Sequence, residues 1–448
     1  MSVGVQRLRD EPDVIRRGAL DKGEDATLVD TALALDARRR ALLGEADALK
    51  AERNSASKRV GVAIQAGAAP NGPEVAALRA ASVAAGERIA ALDVAIGRVE
   101  AELEDALLRI PNPADPDVPV GDASASVTVR TWGDLLPRAM PASGPRGTDA
   151  GAGATAWERR PHWDVAQRLG IFELERGAKI AGSGFPVYRG AGAGLQRALI
   201  DFFLTVHTRE NGFTEIWPPA VVNAASARGT GQIPDKEDQM YVVTRDELYL
   251  VPTAEVPVTN LHRDEIFEAG ELPVRYAAYS PCFRREAGAA GKDTRGILRV
   301  HQFDKVEMVL FETPEASAAA LEWMVGRAED LLRRLGLAYR VLLMATRDMG
   351  FVQAKKYDLE VWAPGVERWL EVSSCSSFRD YQARRMAIRY RPAPGARPEL
   401  VHTLNGSGLA LARVVAAILE TYQEPDGSVR VPEPLRASLG ADVLRPPA

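Results

Sequence analysis

The chain is 448 residues long, with 46% hydrophobic and 26% charged residues. This composition is typical of a globular protein, and the length predicts two or three domains with a sizeable buried core. The formal net charge of −5 excludes a strongly basic surface over the whole chain. Any contact with a nucleic acid would therefore need a local patch of positive charge.

The cysteine and histidine content excludes several kinds of stabilised or metal-bound fold. There are two cysteines, Cys282 and Cys375, and the five histidines show no H-x-x-H spacing. Two cysteines cannot form a disulfide framework or a four-cysteine zinc site, so no zinc is expected and a reducing compartment is indicated. The charged N-terminus and the lack of a long apolar run predict a cytoplasmic protein.

Two long segments near the N-terminus repeat apolar residues every seven positions. The first segment carries two such lines, Leu28, Leu35, Leu42, Leu49, Ala56 and Ala32, Arg39, Ala46, Arg53, Val60. The second carries Leu78, Ala85, Leu92, Val99, Ala106 and Val75, Ser82, Ile89, Ile96, Leu103, Ile110. Because each pair of lines shares one helix face and a turn-rich run at 67–73 separates the segments, we predict an antiparallel two-helix arm over 1–110.

The function of this arm is open from the pattern alone. A dimerisation coiled coil would show the same heptads. The first helix has a slight excess of positive charge, which suits contact with phosphates but is equally typical of a solvated helix face. Its basic residues are Arg38, Arg39, Arg40, Lys50, Arg53, Lys58 and Arg59.

The character of the chain changes twice beyond the arm. Residues 111–160 are rich in Pro, Gly, Ala and Ser, which predicts a linker with an insertion. In 161–448, helical stretches alternate with clustered β-rich runs. This pattern favours an α+β domain built on an antiparallel sheet flanked by helices.

The densest set of polar residues lies between positions 281 and 307. Arg284 and Glu286 fall on one face of a β-rich run, and a second β-rich run ends at Glu307. The loop between the runs carries Lys292, Asp293 and Arg295. Because a buried charge must be paired or bind a ligand, this set indicates a charged substrate. A surface hairpin with exposed ion pairs is the alternative.

Two further clusters suit a nucleotide and its metal ion. Glu371 with Ser373 and Ser374 offers hard oxygen ligands for Mg²⁺ beside phosphates. A turn at 405–408 leads into an amphipathic helix that presents Arg413, which suits a phosphate or an aromatic base. The chain has no G-x-x-x-x-G-K-[ST] run and no G-x-G-x-x-G after a strand, so a bound nucleotide would need another platform.

The three clusters together carry a resemblance to a known family. The run FRREAGAAGKDTRGILRVHQFDKVE (283–307) resembles motif 2 of class II aminoacyl-tRNA synthetases in its seryl form, and HTLNGSGLALARVVAAILE (402–420) resembles motif 3. GFTEIWPPAVV (212–222) is similar to motif 1, and the heptad arm with ERN at 52–54 is similar to the family's tRNA-binding arm. The class I signatures are absent.

The resemblance implies activation of L-serine with ATP to seryl-adenylate and transfer to tRNA(Ser), with tRNA(Sec) as a further acceptor, by a homodimer that needs Mg²⁺. It gives catalytic roles to Arg284, Glu371 and Arg413 and implies Mg²⁺ ligation by Glu371 and Ser374. The implied serine-site residues are Thr253, Ala254, Glu255, Arg284, Glu307 and Ser407. The implied ATP-site residues are Arg284, Arg285, Glu286, Val300, Phe303, Glu371, Val372, Ser373, Ser374 and Arg413.

The chain departs from the family pattern in several places. Arg285 replaces a small residue, Gly184 an arginine and Ala412 a glycine, whereas Asp235–Lys236 replaces a Lys-Phe pair, and 137–160 looks expanded. These departures leave open a specialised second copy, for inhibitor resistance or for supplying seryl-tRNA to a biosynthetic pathway. A non-catalytic tRNA-binding protein and a ligase that loads a carrier protein are two further hypotheses.

Overall fold

The computed structural model describes residues 3–140, 156–288 and 295–447. The chain forms two compact units, Met1–Pro113 and Ala114–Ala448. Most of the predicted expansion at 137–160, and the loop residues Lys292 and Asp293, lie outside the described residues. Among the described helices, none combines the length and the apolar character that a membrane crossing requires.

Helices make up nearly all of the first unit and surround the sheets of the second. The α-helices are α1 (Val5–Asp10), α2 (Pro12–Lys22), α3 (Thr27–Gln65), α4 (Pro73–Leu108), α5 (His162–Leu169), α6 (Leu174–Ala181), α7 (Ala191–Thr205), α8 (Ala224–Thr230), α9 (Glu255–Thr259), α10 (Ser317–Arg334), α11 (Tyr381–Met386), α12 (Leu411–Thr421) and α13 (Glu433–Leu439). A π-helical turn, Val206–Glu210, continues α7, and short 3₁₀ turns cover Ala123–Ala125, Glu237–Gln239 and Asn260–His262.

The strands belong to the second unit. They are β1 (Val127–Trp132), β2 (Ala139–Met140), β3 (Trp157–Glu158), β4 (Phe172–Glu173), β5 (Val187–Tyr188), β6 (Thr214–Ile216), β7 (Val221–Asn223), β8 (Val242–Val243), β9 (Leu248–Leu250), β10 (Ile266–Phe267), β11 (Val274–Phe283), β12 (Gln302–Glu312), β13 (Tyr339–Leu343), β14 (Lys355–Ala363), β15 (Arg368–Arg379), β16 (Arg389–Tyr390), β17 (Glu399–Leu400), β18 (His402–Ala410), β19 (Val429–Arg430) and β20 (Val443–Leu444).

The two-helix arm is confirmed, with α3 and α4 packed along their length. The predicted seam of α4 is buried throughout its centre, at Val75, Ala85, Ile89, Leu92, Ile96, Val99, Leu103 and Ala106. Along the predicted seam of α3, Ala32, Ala46 and Ala56 are buried. Leu42 and Leu49 are partly buried and pack against Ala46 and against Leu92 and Ile96 of α4, so apolar side chains of both helices fill the seam.

A buried carboxylate lies near the start of α3, outside the two predicted seam lines. The Asp36 side chain is 1% exposed, although charged residues on this helix are typical of a solvated face. It accepts hydrogen bonds from Arg9, Arg39 and Arg40 at 3.4, 3.2 and 3.0 Å. Because Arg9 lies on α1, this cluster ties the N-terminal helices to the arm.

The main sheet is mostly antiparallel, as predicted. Within the described residues it has eight strands in the order β1-β13-β14-β15-β18-β12-β11-β6, and only the edge strand β6 pairs in parallel. The other edge strand, β1, lies inside the 111–160 span that composition predicted to be linker and insertion. Its VTVRTW sequence is rich in β-branched residues, a strand signal that the surrounding Pro and Gly obscured.

The alternation of side chains along β12 separates two cores. Val306, Met308 and Leu310 belong to the larger core, which packs under α7, α10 and α12. Val309 and Phe311 face a smaller core that includes residues of α9 and α11. Lys305 and Glu307 share the face of Val309 because side chains alternate along a strand. The sheet therefore presents charged residues on the face that α9 and α11 partly cover.

Candidate active site

A polar cavity of about 420 Å³ lies against the charged face of the main sheet. Strands β12, β15 and β18, the first turn of α12 and the segment Gly231–Met240 contribute to its wall. The predicted site residues that line it are Thr253, Glu255, Arg284, Glu286, Val300, Phe303, Glu371, Val372, Ser373, Ser374, Ser407 and Arg413. The fold thus brings together residues that are up to 160 positions apart.

Three of the predicted site residues do not line this cavity. Ala254 is fully buried in the smaller apolar core. Glu307 is fully buried in the sheet, where it contacts residues that do line the cavity. Arg285 is exposed, and its guanidinium donates to the backbone carbonyl of Asp238 at 2.9 Å. The nucleotide role of Arg285 stays a prediction.

One end of the cavity, here named the carboxylate end, is built around Glu255 and Glu307. The Thr253 hydroxyl donates to Glu307 at 3.2 Å. Lys305 pairs with Glu307 and donates to the Thr253 hydroxyl at 2.9 Å. The Asn405 amide donates to Glu307 at 2.7 Å and to Glu255 at 3.2 Å. This end combines a hydroxyl with two carboxylates, so it can accept hydrogen bonds from a small cationic ligand.

Glu255 is buried with few donors to stabilise its charge. Burial, together with the nearby charge of Glu307, raises the pKa of its carboxyl to about 7, although the hydrogen bond from Gln382 acts in the opposite direction. That bond is 2.6 Å long, and the Gln382 carbonyl accepts in turn from Thr403 at 2.7 Å. A bound ammonium would favour the ionised form, because an opposite charge lowers a carboxyl pKa.

Sequence reasoning missed the residues that hold the carboxylate end in place. Lys305, Gln382 and Asn405 were not among the predicted site residues, although two of them carry a visible signal. Lys305 precedes Glu307 by two positions and Asn405 precedes Ser407 by two, so each pair shares a strand face. Gln382 lies only eight positions after Ser374, but it comes from α11 and not from the strand, so strand alternation gave no signal for it.

The opposite side of the cavity holds Glu371 and Ser374 on β15. The Ser374 hydroxyl lies 2.7 Å from Asp358 and 3.0 Å from Glu371, and its single proton can serve one of them at a time. Asp358 also pairs with Lys356 at 3.0 Å. Burial raises the pKa of Asp358 to about 7, although Lys356 acts in the opposite direction. Asp358 and Lys356 were not predicted from sequence.

Glu371 is held in its ionised form. Burial alone would raise the pKa of its carboxyl, but the charges of Lys356 and Arg413 outweigh burial and lower the pKa. Within the described residues there is no group of three or more His, Cys, Asp or Glu side chains that could hold a metal ion. A cation beside Glu371 would therefore need further ligands from a bound phosphate or from water.

Two arginines and a phenylalanine form the third part of the cavity wall, here named the arginine end. The Arg284 guanidinium lies 5.2 Å from the Phe303 ring centre, and its Nε donates to the carbonyl of Pro252 at 3.4 Å. Arg413 donates to the carbonyls of Leu298 and Glu371 at 3.0 and 2.8 Å. These fixed cations beside an aromatic face suit an anion and a flat ring.

Glu286 lies in the loop that follows β11, three positions after the strand ends at Phe283, and so is not part of the β-rich run in which the sequence placed it. Its φ is 51°, in the left-handed region, and its carboxylate pairs with Arg299. A positive φ at a residue with a Cβ is uncommon and is tolerated where surrounding contacts hold it. Arg299, which lines the cavity, was also missed from sequence.

The residues that depart from the family pattern lie at or near the cavity. Gly184 has φ 84°, and a Cβ there would lie 2.1 Å from the His301 ring, so any side chain would be strained and crowded. The Gly184 carbonyl accepts from the His301 backbone at 2.8 Å. Ala412 and Lys236 both line the cavity, whereas Asp235 is exposed.

Arg284, from the β11–β12 hairpin, and Arg413, from α12, lie in one cavity on a mostly antiparallel sheet, which agrees with the class II aminoacyl-tRNA synthetases that the sequence motifs resemble. Residues 241–422 match the family model described as tRNA synthetase class II core domain (G, H, P, S and T). Residues 4–114 match the model of the seryl-tRNA synthetase N-terminal domain. The chain belongs to the seryl-tRNA synthetase family.

Relatives of nearly full length are similar throughout. A serine–tRNA ligase from Gemmatimonas aurantiaca is 51% identical over 443 residues, which is 98% of this chain and 99% of the relative. A serine–tRNA ligase from Thermomicrobium roseum is 50% identical over 437 residues, 97% of this chain and 93% of the relative. The solved structure of seryl-tRNA synthetase from Pyrococcus horikoshii complexed with ATP covers 99% of this chain and is covered fully, with a TM-score of 0.89 and 37% identity.

Proposed function

We propose that the chain activates L-serine with ATP to form seryl-adenylate and transfers the seryl group to tRNA(Ser). The observation that carries this proposal is one cavity that joins the carboxylate end to the arginine end. The carboxylate end suits the ammonium and hydroxyl groups of serine. The arginine end suits the serine carboxylate and the phosphates and adenine of ATP. Activation forms a bond between the serine carboxylate and the α-phosphorus, both of which would lie at the arginine end while the carboxylate end holds the rest of serine.

Activation brings two anions together, since the serine carboxylate must attack the α-phosphorus of ATP. Arg284 supports this step because its guanidinium can contact both anions and offset the charge that develops between them. Phe303 and Arg413 offer two faces for the adenine ring. Correct placement of the reacting groups supplies most of the remaining acceleration, so no protein general base is needed.

Selectivity for serine follows from the carboxylate end. In this proposal the Glu255 carboxylate pairs with the substrate ammonium, and Thr253, which is hydrogen-bonded to Glu307, bonds the substrate hydroxyl. Alanine would fill the same volume but would leave buried hydrogen-bonding groups without a partner. A site built to pair a hydroxyl rejects such an analogue far better than shape alone could.

The Mg²⁺ ion implied by the family would bind at Glu371 and Ser374. The fit rests on the donor set, because an ionised carboxylate and a hydroxyl are hard oxygen ligands, and Mg²⁺ commonly completes its shell with substrate phosphates and water. When bound, the ion would neutralise phosphate charge and help the pyrophosphate to leave. Lys356 and Asp358 would hold the two ligands in place.

In this proposal the two-helix arm binds tRNA. The same proposal includes tRNA(Sec) as a further acceptor. The basic residues of α3 would supply the local contacts with phosphate that the net charge of the chain does not. Because charged tRNA serves translation, the proposal also assigns the reaction to the cytoplasm. The comparisons with known proteins give no support to a specialised copy or to a non-catalytic protein.

The proposal includes a homodimer formed through the motif 1 region. Strand β6, within motif 1, is an open edge of the main sheet, and the neighbouring Trp217 is 80% exposed. A large exposed aromatic side chain beside an unpaired strand edge is typical of an interface between subunits. Light scattering at several protein concentrations tests this part, and a monomer at all of them would contradict it.

The experiment that tests the activity is ATP–pyrophosphate exchange with each of the standard amino acids, followed by aminoacylation of tRNA(Ser). We expect exchange with serine, at least about 100-fold less with alanine, and charging of tRNA(Ser). Exchange without a preference for serine would contradict the proposed substrate. Exchange with serine but no charging of tRNA would favour a carrier-loading ligase.

A further inference from the structure

Lys236 brings a positive charge into the cavity that no described carboxylate neutralises by direct contact. It lies on the segment Gly231–Met240 and lines the cavity with Arg284 and Glu255. Among the residues that the structure describes, none forms a salt bridge with its ammonium. Lys236 is half-buried, and a partly desolvated ammonium without a partner in a ligand cavity indicates an anionic ligand.

Lys236 shares the cavity wall with residues of all three regions. Glu255 belongs to the carboxylate end, Arg284 to the arginine end, and Lys356 lies beside the Asp358 and Ser374 pair. Burial is the largest cause that lowers the pKa of Lys236; the charges of Arg284 and Lys356 also lower it, and those of Asp235 and Glu255 raise it.

The segment that carries Lys236 is fastened to the hairpin that carries Arg284. The backbone amides of Arg285 and Ala287 donate to the carbonyl and the side-chain oxygen of Gln239 at 2.8 and 3.0 Å. The Arg285 guanidinium adds the bond to the Asp238 carbonyl. Met240, 1% exposed, anchors the end of the segment. These contacts fix the position of the Lys236 segment relative to the hairpin that carries Arg284.

We propose that Lys236 is a further substrate-contacting residue of the activation step, binding the serine carboxylate and the α-phosphate as they join. This inference rests on the proposed function. A carboxylate oxygen forms the bond to the α-phosphorus, the bond from that phosphorus to the bridging oxygen breaks, and its electron pair leaves with pyrophosphate. Lys236 stays protonated throughout and transfers no proton, so its contribution is electrostatic and greatest where the two anions meet.

Lys236 also marks a departure from the family pattern. That pattern has lysine and then phenylalanine at positions 235 and 236, whereas this chain has Asp235 and Lys236. In this chain the residue at 235 is exposed and the cation at 236 lines the cavity. Arg285, a second departure, holds the same segment through Asp238. The two departures are therefore physically connected.

The test is serine-dependent ATP–pyrophosphate exchange by the full-length protein carrying Lys236→Met, which keeps the length of the side chain and removes its charge. Loss of one hydrogen bond to a charged group predicts a fall in kcat/KM of about 10- to 100-fold. Lys236→Arg keeps the charge, so we expect it to restore most of the activity. Lys179→Met, at an exposed position on α6, serves as the matched control and is expected to match the wild type.

The outcomes separate the inference from the proposed function. Wild-type exchange with serine and equal exchange by Lys236→Met would overturn the role of Lys236 alone. Equal losses in Lys236→Met and Lys236→Arg, with unchanged thermal unfolding, would also overturn it, because the charge would not matter. No serine-dependent exchange by the wild type would overturn the proposed function itself. If Lys236→Met unfolds at lower temperature, Lys236→Gln provides the neutral side chain for the same comparison.

Discussion

Glu255 and Glu307, carboxylates from different elements of the fold, share one hydrogen-bond donor, the side-chain amide of Asn405. Lys305 pairs with Glu307 alone, so Glu255 depends on Asn405 and Gln382. Two neighbouring carboxylates resist double ionisation, and burial adds to this for Glu255. A cationic substrate group would relieve this repulsion, and the site is therefore tuned for an ammonium.

The first prediction concerns pH. Since the pKa of Glu255 is raised to about 7, this carboxyl is largely protonated below that pH and cannot pair with the serine ammonium. We expect kcat/KM for serine to fall about tenfold for each pH unit below about 7 and to level off above it. Steady-state exchange between pH 5.5 and 8.5 measures this profile.

Glu255→Gln identifies the group responsible for this profile. The variant should have weak activity without the acidic fall, because glutamine does not titrate. Asp358 has a pKa raised to a similar value and faces Ser374 rather than the carboxylate end. An unchanged acidic fall in Glu255→Gln would contradict the prediction and assign the titration to Asp358.

The second prediction concerns the shared donor. Asn405→Ala leaves Glu307 and Glu255 without that amide and increases their mutual repulsion. We expect the KM for serine to rise about 10- to 100-fold, the usual effect of losing a hydrogen bond to a charged group, while the KM for ATP changes little. Asn260→Ala is the matched control, since Asn260 donates to backbone carbonyls outside the cavity. Equal increases in both KM values would contradict the prediction.

The third prediction concerns Arg284. Arg284→Ala removes the guanidinium from the arginine end, and we expect serine-dependent exchange to fall by at least about 1,000-fold. Arg284→Lys should recover only part of it, because an ammonium lacks the planar fork of donors. The neighbouring Arg285→Ala should lose about tenfold or less, since Arg285 points away from the cavity to the Asp238 carbonyl. Near-normal exchange by Arg284→Ala would refute the assignment of the site.

The fourth prediction separates activation from charging. Deleting residues 28–106 removes the paired helices of the arm and leaves the unit Ala114–Ala448 intact. Exchange should stay within a few-fold of the wild type, because every residue that lines the cavity belongs to that unit. Aminoacylation should fall at least about 100-fold through loss of phosphate contacts. Normal charging by the truncated protein would contradict the role of the arm.

The fifth prediction concerns stability of the arm. Asp36→Asn removes the charge that three arginines surround and should lower the free energy of unfolding of the arm by about 3 kcal/mol. Asp47→Asn on the same helix is the control, because the Asp47 side chain is 76% exposed and should have little effect. Urea unfolding followed by helical circular dichroism measures both. Equal changes in the free energy of unfolding for Asp36→Asn and Asp47→Asn would contradict the stabilising role of the Asp36 cluster.

The two-helix arm shows which features a local sequence pattern predicts and which it does not. A heptad repeat states which residues share a helix face, so the buried seam of α4 follows from spacing alone. The same reasoning treated Asp36 as one member of a charged surface. Its burial depends on Arg9, which reaches it from another helix, and no spacing within α3 contains that information.

In the unit Ala114–Ala448, too, some features could be predicted from the sequence and others could not. Its antiparallel sheet and the motif residues along β12, β15 and β18 could be predicted, because strand alternation and family resemblance both act over short stretches of chain. The edge strand β1 was hidden by a Pro- and Gly-rich setting, and its partner β13 lies about 210 residues further along the chain.

The sequence by itself determined the family, the two-helix arm, the α+β class and the residues that carry recognisable chemistry. The tertiary structure alone decided which of those residues share a cavity, that Arg285 faces away from it, and that Asn405, Gln382, Lys305 and Lys236 complete it. The physical reason is that a pKa, an ion pair or a shared donor depends on distances of about 3 to 6 Å between groups remote in sequence. Only the folded packing of the sheet, α11 and the Gly231–Met240 segment sets those distances.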